Sequence, residues 1–301
     1  MNTALVVLLV LSLIGNAVGA YVVYKYMNLR TWFAEGQAKQ ADCAAANRGL
    51  TASVNELTAE LDKHDGARMV YLHHSVGRRL LNEGGLRNEL LAMGVLVKSA
   101  TYGDEIGEHT DICHWAGKFD SSMQDILEFS SAGNRYHKDG TTNDIVLFKP
   151  CYPNSDIVGD GTPPGDPYGV EQTIANYKAT FNHIRPLMAA HPGKLFVYMT
   201  APPRVPEATT AEMAARARAF NDWLVNEFQP AYQRETGRDN FYVFDLFSTL
   251  ADDKGFLKAE YRLGLTGDSH PNEKGAKAAV AAFMTMFRAL WPQWSAVHAQ
   301  S

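Results

Sequence analysis

Short apolar runs alternate with helical segments along most of this chain, and that alternation limits the possible folds more than any other feature. In the segment 144–148, the four residues that follow Asp144 are continuously apolar, as in strands that are buried on both faces. Strands that alternate with helices predict a parallel sheet with helices on both sides. The predicted strands are 69–72, 94–102, 144–148, 194–200 and 240–246, and the predicted helices are 78–83, 170–190, 210–235 and 273–290. Residues 111–119 are interpreted as a loop and a short helix, and Thr209 or Thr210 is the expected cap of the helix at 210–235.

Residues 4–24 carry no formal charge and, as a helix, would reach roughly 30 Å, enough to cross a bilayer. We interpret residues 1–27 as a membrane anchor, with a signal peptide cleaved after Ala20 as the alternative. The start lacks the Lys or Arg of a signal peptide, which favours the anchor. Lys25 and Arg30 follow the segment, and by the positive-inside rule they favour a cytoplasmic C-terminal part.

Residues 28–66 predict a helical stalk between this anchor and a globular domain at 67–301. The stalk carries an apolar stripe at helical spacing, formed by Leu50, Val54, Leu57 and Leu61. Self-association through this stripe is one interpretation, and packing of the helix on the domain is the other.

Composition excludes two classes of protein. A hydrophobic content of 46% is too high for a disordered chain, and a net charge of −5 argues against a nucleic-acid partner. The three cysteines, Cys43, Cys113 and Cys151, do not identify the cellular compartment of the protein. Outside the cytoplasm Cys113 and Cys151 could form a disulfide, whereas inside it they would stay reduced.

An Asp two residues before a His, just ahead of the last predicted helix, is the main chemical signal. Asp268 can fix the tautomer of His270 and stabilise its imidazolium, which makes His270 a candidate general base. This pair still requires a nucleophile.

Ser75 is the candidate nucleophile, because it follows the first strand and opens a helix. There the N–H groups and dipole of the helix favour developing negative charge. The alternative is that Ser75 merely caps the helix. Gly103 and Asn154 also follow predicted strands, and each could donate a hydrogen bond to an oxyanion or simply form a turn.

The order of these residues resembles the SGNH hydrolase family of GDSL-like esterases and acyltransferases, over about residues 67–292. The most specific match is His-Pro-Asn-x-x-Gly at 270–275. Three departures are His73-His74 in place of Gly-Asp before Ser75, an altered block around Asn154, and an Asp two rather than three residues before the His. The Asp-x-His spacing is similar to that of SGNH-like acyltransferases of exopolysaccharide assembly.

The resemblance implies a flavodoxin-like three-layer α/β sandwich that hydrolyses or transfers an acyl ester, without metal or cofactor. It implies Ser75 as nucleophile, His270 as base and Asp268 as orienter, with an oxyanion hole from Ser75, Gly103 and Asn154. By the same analogy we expect an acylated carbohydrate of the cell envelope as substrate and an extracytoplasmic domain. His74 and Lys149 are further candidates for the pocket.

Two alternatives belong to other classes. His73 or His74 could ligate a metal together with Asp268 and His270, as in a metal-dependent hydrolase. The chain could also be a membrane-anchored module that keeps the fold and binds a glycan or protein without catalysis.

Overall fold

A parallel five-stranded sheet lies at the centre of the part of the chain that the computed structural model describes, residues 66–264 and 266–298. The strands are β1 (Ala67–Leu72), β2 (Val95–Ala100), β3 (Phe129–Ser131), β4 (Arg135–Tyr136), β5 (Ile145–Phe148), β6 (Leu195–Met199) and β7 (Phe241–Phe244). The sheet order is β2-β1-β5-β6-β7, which is the flavodoxin-like order. The parallel α/β sandwich predicted from the sequence is confirmed. The sequence did not predict β3 and β4, which form a separate antiparallel pair.

Eight α-helices connect and cover the strands within these described residues. They are α1 (Ser75–Asn82), α2 (Leu86–Leu91), α3 (Ile112–Glu128), α4 (Ile174–Ala189), α5 (Ala211–Trp223), α6 (Gln229–Thr236), α7 (Leu246–Leu250) and α8 (Glu273–His298). A π-helical turn at Leu224–Phe228 joins α5 to α6. The sequence predicted only a loop and a short helix at 111–119, whereas α3 runs for 17 residues. This difference arises because α3 packs its apolar face, including the fully buried Trp115, against the sheet.

Side chains alternate between the two faces of the sheet, which explains the continuous apolar runs. In β1, Val70 and Leu72 pack into the core that α3 to α6 cover. Met69 and Tyr71 pack into the opposite core, beneath α1, α2 and α8. Burial on both faces therefore removes the polar alternation that a half-exposed strand would show.

The strand register brings three chain segments to one edge of the sheet. Leu72 at the end of β1 lies beside Ala100 of β2 and Phe148 of β5. Chain order reverses between β1 and β5, so the loops after these strands diverge and leave a crevice. Ser75 follows β1 at this switch point.

The predicted membrane segment at 1–27 lies outside the described residues, and so does the predicted stalk apart from Gly66. None of the helices within residues 66–264 and 266–298 has both the length and the apolar character needed to span a membrane.

Candidate active site

The structure brings Ser75, His270 and Asp268 together across 195 residues of sequence. His270 Nε2 lies 2.7 Å from Ser75 Oγ, and His270 Nδ1 lies 2.6 Å from Asp268 Oδ1. A carboxylate accepts hydrogen bonds, so Nδ1 carries the proton and Nε2 is free to accept the hydroxyl proton of Ser75. A hydroxyl, a basic nitrogen and an orienting carboxylate are thus in one hydrogen-bonded line.

Ser75 is not the cap of α1. The cap position is His74, and Ser75 is the first helical residue, with its hydroxyl facing His270. Cys151, in the loop after β5, places its Sγ 3.4 Å from Ser75 Oγ. Because the hydroxyl proton points to His270, the Cys151 thiol is the donor in this contact. Ser75 Oγ is therefore held from two sides.

Asp268 also fixes the backbone of the base. Its Oδ1 accepts the backbone N–H of His270 at 2.9 Å as well as the imidazole N–H. Burial raises the pKa of Asp268, but these two hydrogen bonds, together with the charges of His270 and Arg79, outweigh it, and the pKa lies below its ordinary value. The carboxylate is therefore ionised at neutral pH and can stabilise an imidazolium.

The His-Pro-Asn-x-x-Gly motif fastens the loop that carries His270. Asn272 donates to the carbonyls of Glu260 and Arg262, and its side-chain oxygen accepts the N–H of Gly275 at 2.9 Å. That last bond caps the first turn of α8. A Cβ at Gly275 would lie 2.9 Å from Tyr261, so only glycine fits there without a shift. The motif explains the position of the loop, and Asp268 explains the orientation of the ring.

The sequence did not predict two side chains that support the base. Arg79 lies one helical turn after Ser75 and donates to the carbonyl of Pro271 at 2.7 Å. Tyr152 stands edge-on against the His270 ring, with ring centroids 4.9 Å apart. The spacing of Arg79 from Ser75, four residues on one helix, is the signal that could have revealed the first of them.

His73 and His74 point to different environments, as expected for neighbours at the end of a strand. His73 is 1% exposed, and its Nδ1 donates to the carbonyl of His74 while Nε2 accepts from the hydroxyl of Ser99. Burial lowers the pKa of His73 to about 3, so this ring is neutral. His74 is partly exposed, bonds the Gly107 carbonyl at 2.9 Å and stacks on Tyr102.

Two residues predicted for the oxyanion hole already have partners. The N–H of Gly103 donates to the Glu108 carboxylate at 2.7 Å. Asn154 is buried, and its amide donates to Asp111 at 2.6 Å and to the carbonyl of Cys151 at 3.2 Å. Neither group is a free donor in this structure, which corrects the prediction for both. The N–H of Ser75 lies at the first position of α1, where a helix supplies no acceptor.

Lys149, the other candidate for the pocket, is fully buried, and its ammonium donates to the carbonyl of Pro150. Burial lowers its pKa to about 8. The sequence left open whether Cys113 and Cys151 form a disulfide, and in the structure both are free thiols. Cys43 lies outside the described residues.

The alternative metal site lacks a ligand set. Over residues 66–264 and 266–298, no three His, Cys, Asp or Glu side chains are placed to hold a metal ion. Both ring nitrogens of His73 and of His270 are already hydrogen-bonded within the protein.

A cavity of about 280 Å³ opens beside the Ser75–His270 pair. It is lined by Ser75, Arg78, Arg79, Asn82, Glu83, Leu263, Asp268 and His270. A ligand group in this cavity would lie next to the hydroxyl and the imidazole together.

Fold and site together define a parallel α/β sandwich with a Ser-His-Asp arrangement at the carboxyl edge of its sheet. No family model matches the sequence, and no curated protein matches it. Several solved structures are similar to it in shape. A GDSL-like lipase from Bacteroides thetaiotaomicron has a TM-score of 0.43 and 9% identity, covering 78% of this chain and 97% of its own.

Two further similar structures are a protein named as a lipolytic member of the G-D-S-L family from Desulfitobacterium hafniense and an acetyltransferase domain. The first has a TM-score of 0.39 and 12% identity, covering 73% of this chain and 99% of its own. The second is the periplasmic domain of a lipopolysaccharide acetyltransferase from Salmonella ser. Paratyphi A, with a TM-score of 0.38 and 10% identity, covering 75% of this chain and 85% of its own. The GDSL names are those of the family that the sequence motifs resemble, and the function proposed below is inferred from this chain's own residues.

Proposed function

We propose that this protein is a serine esterase or O-acyltransferase in which Ser75, His270 and Asp268 act together. The observation that carries the proposal is the 2.7 Å contact between His270 Nε2 and Ser75 Oγ, with Asp268 on the opposite nitrogen. A binding module without catalysis has no need to hold a hydroxyl against a correctly protonated imidazole. The geometry therefore favours the enzyme over the binding module.

The proposed reaction has two steps. His270 accepts the proton of Ser75 as Oγ attacks the ester carbonyl, and it returns that proton to the leaving alcohol as the acyl-enzyme forms. Water or a second hydroxyl then attacks the acyl-enzyme, with His270 again taking and returning a proton. Asp268 stabilises the imidazolium in each step. The N–H of Ser75 supplies one donor to the oxyanion.

We further propose an acylated carbohydrate as the substrate. Tyr102 is 49% exposed and stacks on His74, the residue before Ser75, with ring centroids 3.9 Å apart. A fixed, exposed aromatic face beside the nucleophile suits the apolar face of a sugar ring.

The membrane anchor, a self-associating stalk and an extracytoplasmic location remain part of this proposal.

The test is labelling of the full chain, purified in a non-ionic detergent, with a fluorophosphonate probe. The parent should be labelled, and both Ser75→Ala and His270→Ala should lose labelling while keeping the far-UV circular dichroism of the parent. Ser248→Ala is the matched control, because Ser248 is an exposed serine outside the cavity. Undiminished labelling of Ser75→Ala would refute the assignment of the nucleophile.

The carbohydrate is tested separately with acetylated oligosaccharides and 4-nitrophenyl acetate. Tyr102→Ala should reduce kcat/KM for the sugar esters more than for the nitrophenyl ester. Equal effects on both substrates would remove the support that Tyr102 lends to a sugar.

A further inference from the structure

One face of α1 carries a polar stripe into the cavity beside Ser75. Ser75, Arg78 and Asn82 stand at helical positions i, i+3 and i+7, so their side chains share one side of the helix. All three line the cavity, together with His270. Arg78 and Asn82 are both exposed. A ligand group that is bound beside Ser75 would therefore contact Arg78 and Asn82 as well.

Within the part of the chain that the structure describes, all but one of the charged groups that line this cavity have a partner. Arg79 forms an ion pair with Glu83 and also donates to the Pro271 carbonyl. Asp268 is engaged by His270. Arg78 makes no side-chain hydrogen bond or ion pair with any residue in the described ranges 66–264 and 266–298.

The positive charges of the two arginines in this cavity balance the negative charges of Glu83 and Asp268. The net charge of the cavity therefore does not attract an anion. What the cavity offers is one guanidinium, that of Arg78, whose donors have no acceptor among residues 66–264 and 266–298. A guanidinium presents five N–H donors in a planar fork that fits a carboxylate or another oxyanion.

The position of the cavity decides which part of an ester would carry that anion. In the proposed reaction the leaving alcohol takes its proton from His270 Nε2, so the alcohol part must lie on the side of His270. The cavity is on that side, since His270 and Asp268 form part of its wall. Gly103 and Tyr102 do not line it, so in the proposed carbohydrate ester the esterified ring lies in this cavity and Tyr102 contacts a further ring of the same glycan.

We propose that Arg78 is a specificity-determining residue that binds an oxyanion, such as a carboxylate, on the alcohol part of the ester substrate. This inference rests on the proposed esterase or acyltransferase function and deepens it. It predicts acyl esters of acidic alcohols, such as an acidic sugar, as preferred substrates.

The test compares two esters that differ only in charge, 4-acetoxybenzoate and the neutral 4-acetoxybenzamide. The measured quantity is the ratio of kcat/KM for the charged ester to that for the neutral one, using the full chain in non-ionic detergent. Arg78→Gln should lower this ratio about tenfold, because a charge-assisted hydrogen bond is lost. Arg78→Lys, which keeps the charge but not the fork, should lower it by about two- to threefold.

Arg238→Gln is the matched control, since it removes an equal charge from an exposed arginine that does not line the cavity. Its ratio should equal that of the parent. An unchanged ratio in Arg78→Gln would overturn the inference while leaving the esterase intact. A parent that hydrolyses neither ester and takes no fluorophosphonate label would instead overturn the proposed function, and the inference with it.

A second pair of esters places the charge on the acyl part, namely mono-4-nitrophenyl succinate and 4-nitrophenyl butyrate. Arg78→Gln should change this ratio much less than the first. A larger effect on the succinate pair would overturn the assignment of the anion to the alcohol side.

Discussion

Replacing Asp268 with Asn tests the proposed mechanism at its electrostatic step. Asp268 Oδ1 accepts two N–H groups of His270, from the backbone at 2.9 Å and from the ring at 2.6 Å. An Asn side chain has nearly the same shape and can keep an acceptor in this place. What the substitution removes is the negative charge that faces the imidazolium in the transition state.

The size of the effect follows from Coulomb's law. The side chains of His270 and Asp268 are only 22% and 25% exposed, so a dielectric constant of about 20 is appropriate. With about 4 Å between the charge centres, the imidazolium loses about 4 kcal/mol of stabilisation. At about 1.4 kcal/mol per factor of ten, kcat/KM should fall by about three orders of magnitude.

The assay is hydrolysis of 4-nitrophenyl acetate by the full chain, together with the rate of fluorophosphonate labelling. Both rates should fall together, because both depend on removal of the Ser75 proton by His270. Asp253→Asn makes the same chemical change at an exposed turn and should leave both rates unchanged. If Asp268→Asn retained more than a fifth of the parent kcat/KM with its fold intact, stabilisation of an imidazolium by Asp268 would be refuted.

Three further predictions concern stability. The unfolded pKa of His73 is near 6.5 and the folded pKa about 3, so acidification from pH 8 to 5 should cost about 2 kcal/mol through this ring alone. In urea titrations His73→Gln should lose correspondingly less stability over that range, and an identical loss would contradict the buried neutral ring. Gly77→Ala should destabilise by about 1–3 kcal/mol, because its Cβ would lie 2.4 Å from that of His73. Gly117→Ala in α3, where the Cβ meets nothing within 4 Å, should instead stabilise by up to about 1 kcal/mol. Chemical denaturation should therefore give a lower midpoint for Gly77→Ala and a higher one for Gly117→Ala than for the parent. Asn272→Ala should lower the melting temperature through a loss of about 1–2 kcal/mol, since a helix cap and two loop contacts disappear; an unchanged melting curve would argue against that role.

Strand positions followed from the sequence because they depend on local pattern. Four of the five strands of the main sheet lie within their predicted runs, and β1 begins two residues before its run. The cap of α5 was reduced to two candidates, and the structure selects Thr210, whose side chain accepts the N–H of Met213. Where the prediction was wrong, as in the length of α3, packing against the sheet extended an element that local pattern leaves open.

The sequence by itself determined the order of the five main strands and the main helices between them, and with it the edge of the sheet at which Ser75 would lie. It also determined the pairing of Asp268 with His270, since two residues in one loop meet without help from the rest of the fold. Such features depend on the hydrophobic period and on short spacings, which a sequence displays directly.

Only the tertiary structure decided which distant groups meet and which polar groups are already in use. The contact of Ser75 with His270, the burial of Lys149 and the engagement of the Asn154 amide by Asp111 all depend on residues far apart in sequence. The lack of a partner for Arg78 within the described residues is of the same kind. A donor's availability depends on every acceptor that packing brings near it, and that competition is settled only in the folded chain.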